Sequence, residues 1–252
     1  MLEPVKIVKQ LCTGIKNYVG KKKAIIGISG GIDSAVVAYL CAKSIGKKNI
    51  IGITMPYDIQ STGDADLIAN NLGLVLWENY KNINIKPMVD NFIASMYIKD
   101  KLANGNIRAR TRMIILYAQA GMNNGIVMGT SNKTELSIGY FTKFGDGGCD
   151  LEPIGELYKT EIFKLASYLG IPEKIINKSP SAELWDNQTD ETEIGMSYKE
   201  IDHILRCLQN EDYDFSDILE QTHKRENIDL IIKMHDNSIH KRNMPPVLKY
   251  EK

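Results

Sequence analysis

Residues 24–41, AIIGISGGIDSAVVAYLC, decide the fold, because two glycines there join a short β-branched run to a helical one. AIIGIS has the length and unbroken apolarity of a strand buried in a parallel sheet, and DSAVVAYLCAKSIG reads as a helix stopped by Gly46. Glycines at a strand-to-helix turn let backbone N–H groups close on phosphate oxygens. The first turn of the helix adds unpaired donors and the positive end of its dipole. A lysine-bearing phosphate loop reads GxxxxGK[ST]; around Gly30 and Gly31 stand Ser29, Ile32, Asp33 and Ser34, and no lysine. Two readings of Asp33 are open. Either it caps the helix, or a divalent cation lies between it and a bound polyphosphate.

Working outward, residues 4–19 read as an amphipathic helix with Val5, Val8, Leu11, Cys12 and Ile15 on one stripe, ended by Gly20 and three lysines. NIIGITMPY is a strand, STGDADLIANNLG a helix, LVLWENY a strand, and another helix starts near Pro87. GNIRARTRMIILYAQAG reads as a helix and GIVMGT as a strand. This alternation predicts an α/β, doubly wound parallel sheet with helices on both faces, Rossmann-like, which gathers ligands beyond the carboxyl ends of its strands. GYFTKFGDGGCD is a glycine-dense loop, and LYKTEIFKLASYLG a helix carrying Ile162, Leu165, Ala166 and Leu169 on its apolar stripe. The polar, acidic NKSPSAELWDNQTDETEIG lacks periodicity and is expected to be an active-site flap or mobile surface loop. One domain is expected over residues 1–252.

Lys and Arg together number 31, as do Asp and Glu, so no global field draws this chain to nucleic acid or an anionic membrane. The N-terminus lacks the apolar core of a signal peptide, and no apolar run reaches the roughly 18 residues of a span, so a cytoplasmic protein is expected. The four cysteines form no CxxC pair and read as free thiols. His203 and Cys207 can share a helix face, but zinc needs more ligands than these two.

Several residues are candidates for chemistry. Arg108 and Arg112 share a helix face, whereas Arg110 falls on the stripe of Ile107, Ile114 and Tyr117 and there needs an anionic partner, from the protein or from a ligand. Thr130 follows a strand, where a doubly wound fold binds its ligand. Glu135 is either a solvated helix-start residue or a second carboxylate completing a Mg²⁺ site with Asp33. Lys143, Asp146 and Asp150 sit where turn formation is the plain account, and Lys159 where surface solvation is.

SGGIDS resembles the pyrophosphate loop of the ATP pyrophosphatase superfamily, which cuts ATP between its α- and β-phosphates. The missing lysine is then intelligible, because the loop holds a departing pyrophosphate neutralised by Mg²⁺. SGGIDSA, TMPY, GNIRARTRM, GTSNKTE, GYFTKFGDGGCD, LYKTE, PSAELW, QTDETEIGMSYKEID and HKRNMPP occur in the order found in the ammonia-dependent NAD synthetases, over residues 24–246. The resemblance implies that ATP is bound by Gly27, Ile28, Ser29, Gly30, Gly31, Ile32, Asp33 and Ser34 with Thr130, Lys159 and Ser181. It implies Mg²⁺ on Asp33 and Glu135, and deamido-NAD on Arg110, Lys143, Asp150, His240 and Lys241. It further implies the adenine nucleotide alpha-hydrolase type of this fold and a homodimer, with ATP as co-substrate and Mg²⁺ as cofactor.

The implied reaction is adenylation of the nicotinate carboxylate of deamido-NAD, then displacement of AMP by ammonia, with no protein nucleophile. Asp146 is a candidate for accepting a proton from NH₄⁺. Residues 181–194 are expected to close over ATP and exclude water from the adenylate. An enzyme adenylating tRNA would call for a basic surface or an added domain, and a thiolating one for catalytic cysteines. A non-catalytic nucleotide-binding module would leave Asp33 and Glu135 unexplained.

Overall fold

The structure, a computed structural model, describes residues 3–181, 189–209 and 224–250. Strands β1 (Lys23–Gly27), β2 (Ile50–Thr54), β3 (Tyr80–Asn82) and β4 (Gly125–Met128) form a parallel sheet in the order β3-β2-β1-β4. Ala24 lies beside Ile50 on one side and Ile126 on the other. Because strand side chains alternate, Ala24 and Ile26 pack with α1 (Pro4–Val19), α2 (Ile32–Ile45) and α7 (Lys159–Leu169). Ile25, Ile51 and Ile53 face α4 (Lys86–Met96) and α5 (Lys101–Asn123) on the opposite side. Each fully buried isoleucine contributes about 1.5–3 kcal/mol, so the strands stay in this register. The doubly wound reading holds.

The chain winds from β1 through β2 to β3, then crosses back so that β4 lies on the other side of β1. Loops leaving β1 and β4 therefore diverge and open a crevice at their carboxyl ends. A separate apolar cluster joins Ile138 of α6 (Lys133–Ile138), Ile194 of α9 (Asp190–Ile194), Ile201 and Ile204 of α10 (Tyr198–Leu208), and Ile228 and Ile231 of the helix Arg225–Asn237. Among the described residues, no helix is long and apolar enough to cross a membrane.

Three expectations need correction. LVLWENY is not a strand: Asn79 Oδ1 accepts the Val75 N–H, Trp77 takes a positive φ of 66°, and Trp77 is 76% exposed. The pairing edge begins only at Tyr80, because the Asn79 side chain builds a turn first. On α1, Val5 is exposed and Val19 carries the buried stripe on instead. Of the expected flap, residues 182–188 lie outside the described residues, whereas Asp190–Ile194 is a helix capped by Thr189 with Asp190 and Ile194 buried. Tyr198 and Tyr140 donate hydroxyl hydrogens to Asp190, which seats that end of the segment in the protein.

Candidate active site

A cavity of about 680 Å³ occupies the crevice. Its floor is the loop between β1 and α2. Gly30 adopts φ +89°, and a Cβ there would lie 2.8 Å from the Cβ of Asp64 in α3 (Gly63–Leu72), so only glycine fits. Ser34 Oγ donates to the Gly31 carbonyl at 3.0 Å and lies 3.1 Å from Ser29 Oγ, which shapes the turn. Ile32 and Asp33 open α2, where N–H groups have no carbonyl one turn back within the helix. Those donors suit an anion.

Asp33 does not cap this helix. Gly31 holds the cap position without a side-chain bond, and the Asp33 carboxylate turns to residues far away in sequence. Lys159 Nζ lies 2.5 Å from Asp33 Oδ2 and 3.3 Å from Glu135 Oε1. With its side chain 2% exposed, Lys159 is the opposite of a solvated lysine. Burial alone would lower its pKa, but Asp33 and Glu135 outweigh that and hold it above the usual lysine range. Burial also pushes Glu135 up to about 8, against the pull of Lys159 and with added repulsion from Asp33.

Asn132 aligns the two carboxylates and was not singled out by sequence. Its Nδ2 donates to Asp33 Oδ1 at 3.0 Å, its backbone N–H to Glu135 Oε2 at 3.1 Å, and its Oδ1 accepts the Glu135 N–H at 3.0 Å. The last two bonds make a capping box for α6. The Asn-x-x-Glu pattern in SNKTE was the signal for it. Glu135 is therefore a helix-start residue and a partner of Lys159 at once.

Lys159 is fixed in turn by Asp202 of α10, which is 2% exposed. Asp202 accepts the Thr134 hydroxyl through one oxygen and the Thr160 N–H through the other at 2.8 Å, and Thr134 Oγ1 accepts the Lys159 N–H at 2.9 Å. One carboxylate so locks α6, α7 and α10 together. Asp202→Ala is expected to cost about 2–3 kcal/mol by stranding these donors, read as a lowered urea midpoint. An unchanged midpoint would show that water replaces the carboxylate.

Of the residues expected to hold ATP, Gly27, Ile28, Ser29, Gly31, Ile32, Asp33, Ser34, Thr130, Lys159 and Ser181 line the cavity, and Gly30 backs onto Asp64 instead. Arg110, Lys143, His240 and Lys241 line it as well. Arg110 is exposed on an outward stripe, with Ile114 53% exposed, so the premise that it needs a buried anion fails; its guanidinium donates to the Lys143 carbonyl. Lys143 Nζ donates to the His240 carbonyl, and Lys241 Nζ donates to the carbonyls of Gly139 and Phe141 at 2.8 Å. Arg242, also missed by sequence, donates to the Leu136 and Ser137 carbonyls ending α6. The tail is thereby pinned over the cavity wall.

Asp150 is not brought to this cavity. It borders a shallower groove with Tyr18, Lys22 and Tyr117, accepting the Tyr117 hydroxyl at 3.1 Å and the Val127 N–H at 2.8 Å. The open N–H at the sheet edge draws its carboxylate there. Asp146 lines the cavity, and its Oδ1 accepts the Thr142 N–H at 2.8 Å, the turn-forming bond of the glycine-rich loop. The four cysteines are free; Cys207 Sγ lies 3.5 Å from His203 Nδ1, and among the described residues no group of three or more potential ligands could hold a metal alone.

Glu152 stands behind the Gly129–Thr130 turn, a further residue that sequence gave no reason to select. A Cβ on Gly129 would lie 2.3 Å from its carboxylate, which accepts the Ser131 N–H at 3.1 Å and the Cys149 thiol at 3.2 Å. Burial pushes Glu152 up to about 7, so between about 4.5 and about 7 the unfolded chain has released this proton while the folded chain keeps it. Its contribution to stability therefore falls as pH rises through that window. Glu152→Gln is expected to flatten this part of the profile, by on the order of 1–3 kcal/mol at pH 8 relative to pH 5; parallel urea curves for the two proteins would contradict it.

The chain matches known proteins along nearly its whole length. The family model for NAD synthase matches residues 7–245. The NH(3)-dependent NAD(+) synthetase of Thermoplasma acidophilum is 44% identical over 96% of this chain and 97% of its own. Among solved structures, the NMN synthetase of Francisella tularensis superposes with a TM-score of 0.86 at 33% identity, covering 99% of this chain and 100% of that one. The NH3-dependent NAD synthetase of Campylobacter jejuni does so with a TM-score of 0.83, also at 33% identity and with the same coverage. The fold, the site at its crevice and the full-length likeness place this chain in the NAD synthase family.

Proposed function

We propose that this chain is an ammonia-dependent NAD synthetase, an ATP-using ligase that adenylates the nicotinate carboxylate of deamido-NAD and then amidates it. The observation that carries the reading is the meeting of Asp33, Glu135 and Lys159 over the open donors of the β1–α2 turn. The turn would hold the β- and γ-phosphates through the backbone N–H groups that open α2 and the Ser29 hydroxyl, with Ser34 shaping the turn through its bond to the Gly31 carbonyl. That leaves the α-phosphorus facing the cavity, where Arg110 and Lys143 can steer an anionic acceptor. No side chain need become a nucleophile.

The donor set suits Mg²⁺. Asp33 and Glu135 bring two carboxylates together around Lys159 Nζ, and hard oxygen ligands from one or two carboxylates completed by substrate phosphates are the usual Mg²⁺ arrangement. When bound, Mg²⁺ would neutralise charge developing on the phosphates. Lys159 in the meantime keeps the carboxylates paired and pointed at the cavity, and Asn132 fixes their direction.

The dinucleotide reading is supported by the α5 face itself. Arg110 at the cavity mouth and Tyr117 beside Asp150 are seven residues apart, roughly 10 Å along the helix, with exposed Ile114 between them. A long ligand running along that face would reach Arg110 and Asp150 together, although they line different depressions. Phe92 and Met96 on α4 and Leu102 on α5 are exposed as well, and burying such apolar residues against a second copy would favour a homodimer.

The test supplies Mg-ATP, ammonium and deamido-NAD and follows nucleotide products. NAD, AMP and pyrophosphate in equal amounts are expected; ADP with phosphate, or no turnover, would overturn the proposal. The likeness to an NMN synthetase favours one other acceptor, the nicotinate mononucleotide. Faster amidation of the mononucleotide than of the dinucleotide would reassign the substrate.

A further inference from the structure

Among the described residues, neither Lys159 nor Arg112 is turned to the proposed phosphate turn as its cation. Lys159 is committed to Asp33 and Glu135, and Arg112 donates through Nε to the Met55 carbonyl at 3.0 Å. Besides Lys143 and Lys241, whose ammonium groups donate to backbone carbonyls, a further lysine lines the cavity from the chain just beyond α8 (Glu173–Ile176). Lys178 Nζ lies 3.0 Å from Asp64 Oδ2, and Asp64 is the residue whose Cβ fills the space beside Gly30. Lys178 is thus tethered one side chain away from the turn, 144 to 149 residues on from Ser29–Ser34 in sequence.

Its tether is shared. Lys174 Nζ lies 2.7 Å from Asp64 Oδ1, with its side chain 69% exposed and outside the cavity lining. Two ammonium groups on one carboxylate leave a surplus positive charge next to the turn. Hydrogen bonds from Lys174 and Lys178 hold Asp64 below the usual carboxylate range, so it stays ionised in this pairing. A single lysine is enough to keep Asp64 paired, and the other can move to an arriving anion at little cost.

We propose that Lys178 is the cation of this phosphate turn, passing from Asp64 to the β- and γ-phosphates of ATP and then holding the departing pyrophosphate while Lys174 keeps Asp64 paired. As the acceptor oxygen bonds to the α-phosphorus, the bond from that phosphorus to the α,β-bridging oxygen breaks. The electron pair leaves on the pyrophosphate, and the Lys178 ammonium meets that charge without giving up a proton. This assignment rests on the ATP-cleaving reading above and deepens it.

Its test compares the wild-type chain with Lys178→Gln, Lys178→Arg and Lys174→Gln. Two readouts are used: calorimetric binding of magnesium pyrophosphate, and steady-state KM values for ATP and for ammonium. Losing one charge-assisted hydrogen bond is expected to weaken pyrophosphate binding, and raise the KM for ATP, by about tenfold to a hundredfold in Lys178→Gln. The KM for ammonium should not move, and Lys178→Arg should recover part of the loss. Lys174→Gln should change binding by less than about threefold, since Asp64 is itself partly open to water.

Equal effects of Lys174→Gln and Lys178→Gln would overturn the proposal, leaving both lysines as braces for Asp64. Absence of magnesium pyrophosphate binding by the wild-type chain would overturn it as well. Lysine-dependent binding without ATP turnover would instead retain Lys178 as an anion site and remove the synthetase reading.

Discussion

Asp33→Asn is expected to reduce turnover by at least roughly 10²–10³-fold at saturating Mg-ATP, the range seen when one preorganised electrostatic contact is lost from a transition state. The amide has one oxygen where the carboxylate had two, so it can accept from Lys159 or from Asn132 Nδ2 but not from both. What disappears is one of the two negative charges that meet at Lys159 Nζ. The variant should therefore still fold, with a urea midpoint lowered by the loss of one hydrogen bond, about 1–3 kcal/mol, while responding weakly to Mg²⁺. Full activity in Asp33→Asn would leave Asp33 as a structural partner of Lys159 and would remove the metal role.

Lys159→Met should damage both folding and activity. Methionine fills much of the same space without the ammonium, so Asp33 is left facing Glu135 with no cation between them. Removing one partner of a fully enclosed ion pair costs about 3–5 kcal/mol. A loss of roughly 2–4 kcal/mol is expected here, because Asp33 opens onto the cavity and water screens it in part. Turnover should fall below detection in a standard product assay.

The destabilisation should also depend on pH. Burial raises Glu135, and without Lys159 to pull it down its pKa in the folded variant rises further. The unfolded chain releases this proton near its ordinary value of 4.5, whereas the folded variant holds it to higher pH. The deficit against the wild-type chain should consequently shrink as pH falls and grow as it rises. A deficit constant from pH 5 to pH 9 would mean that Glu135 does not sense Lys159.

Local pattern carried the fold. The β-branched run at residues 24–29, the two glycines and the helical spacing beyond are set by near neighbours, so β1, its turn and α2 were legible without coordinates. The same holds for α5 and α7, whose periodicity spans several turns. LVLWENY misled because apolar content alone suggested a strand, while Asn79 builds a turn by accepting the Val75 N–H and is itself held by donating to the Lys47 carbonyl, 32 residues away. Resemblance in motif order supplied the family and most candidate residues.

By itself, then, the sequence determined the doubly wound fold, the lysine-free glycine turn and the family, because backbone geometry at a strand–turn–helix junction depends on residues a few positions apart. Only the tertiary structure decided which charges meet. Lys159 reaches Asp33 across 126 positions, Asn132 across 99, and Lys178 is held beside Gly30 by a carboxylate from α3. It also sent Asp150 to a different groove from Lys143, its neighbour in the same loop. Burial explains why these pairings have to be found: a charge removed from water is stable only with a partner in reach, and packing of helices distant in sequence determines which partner that is.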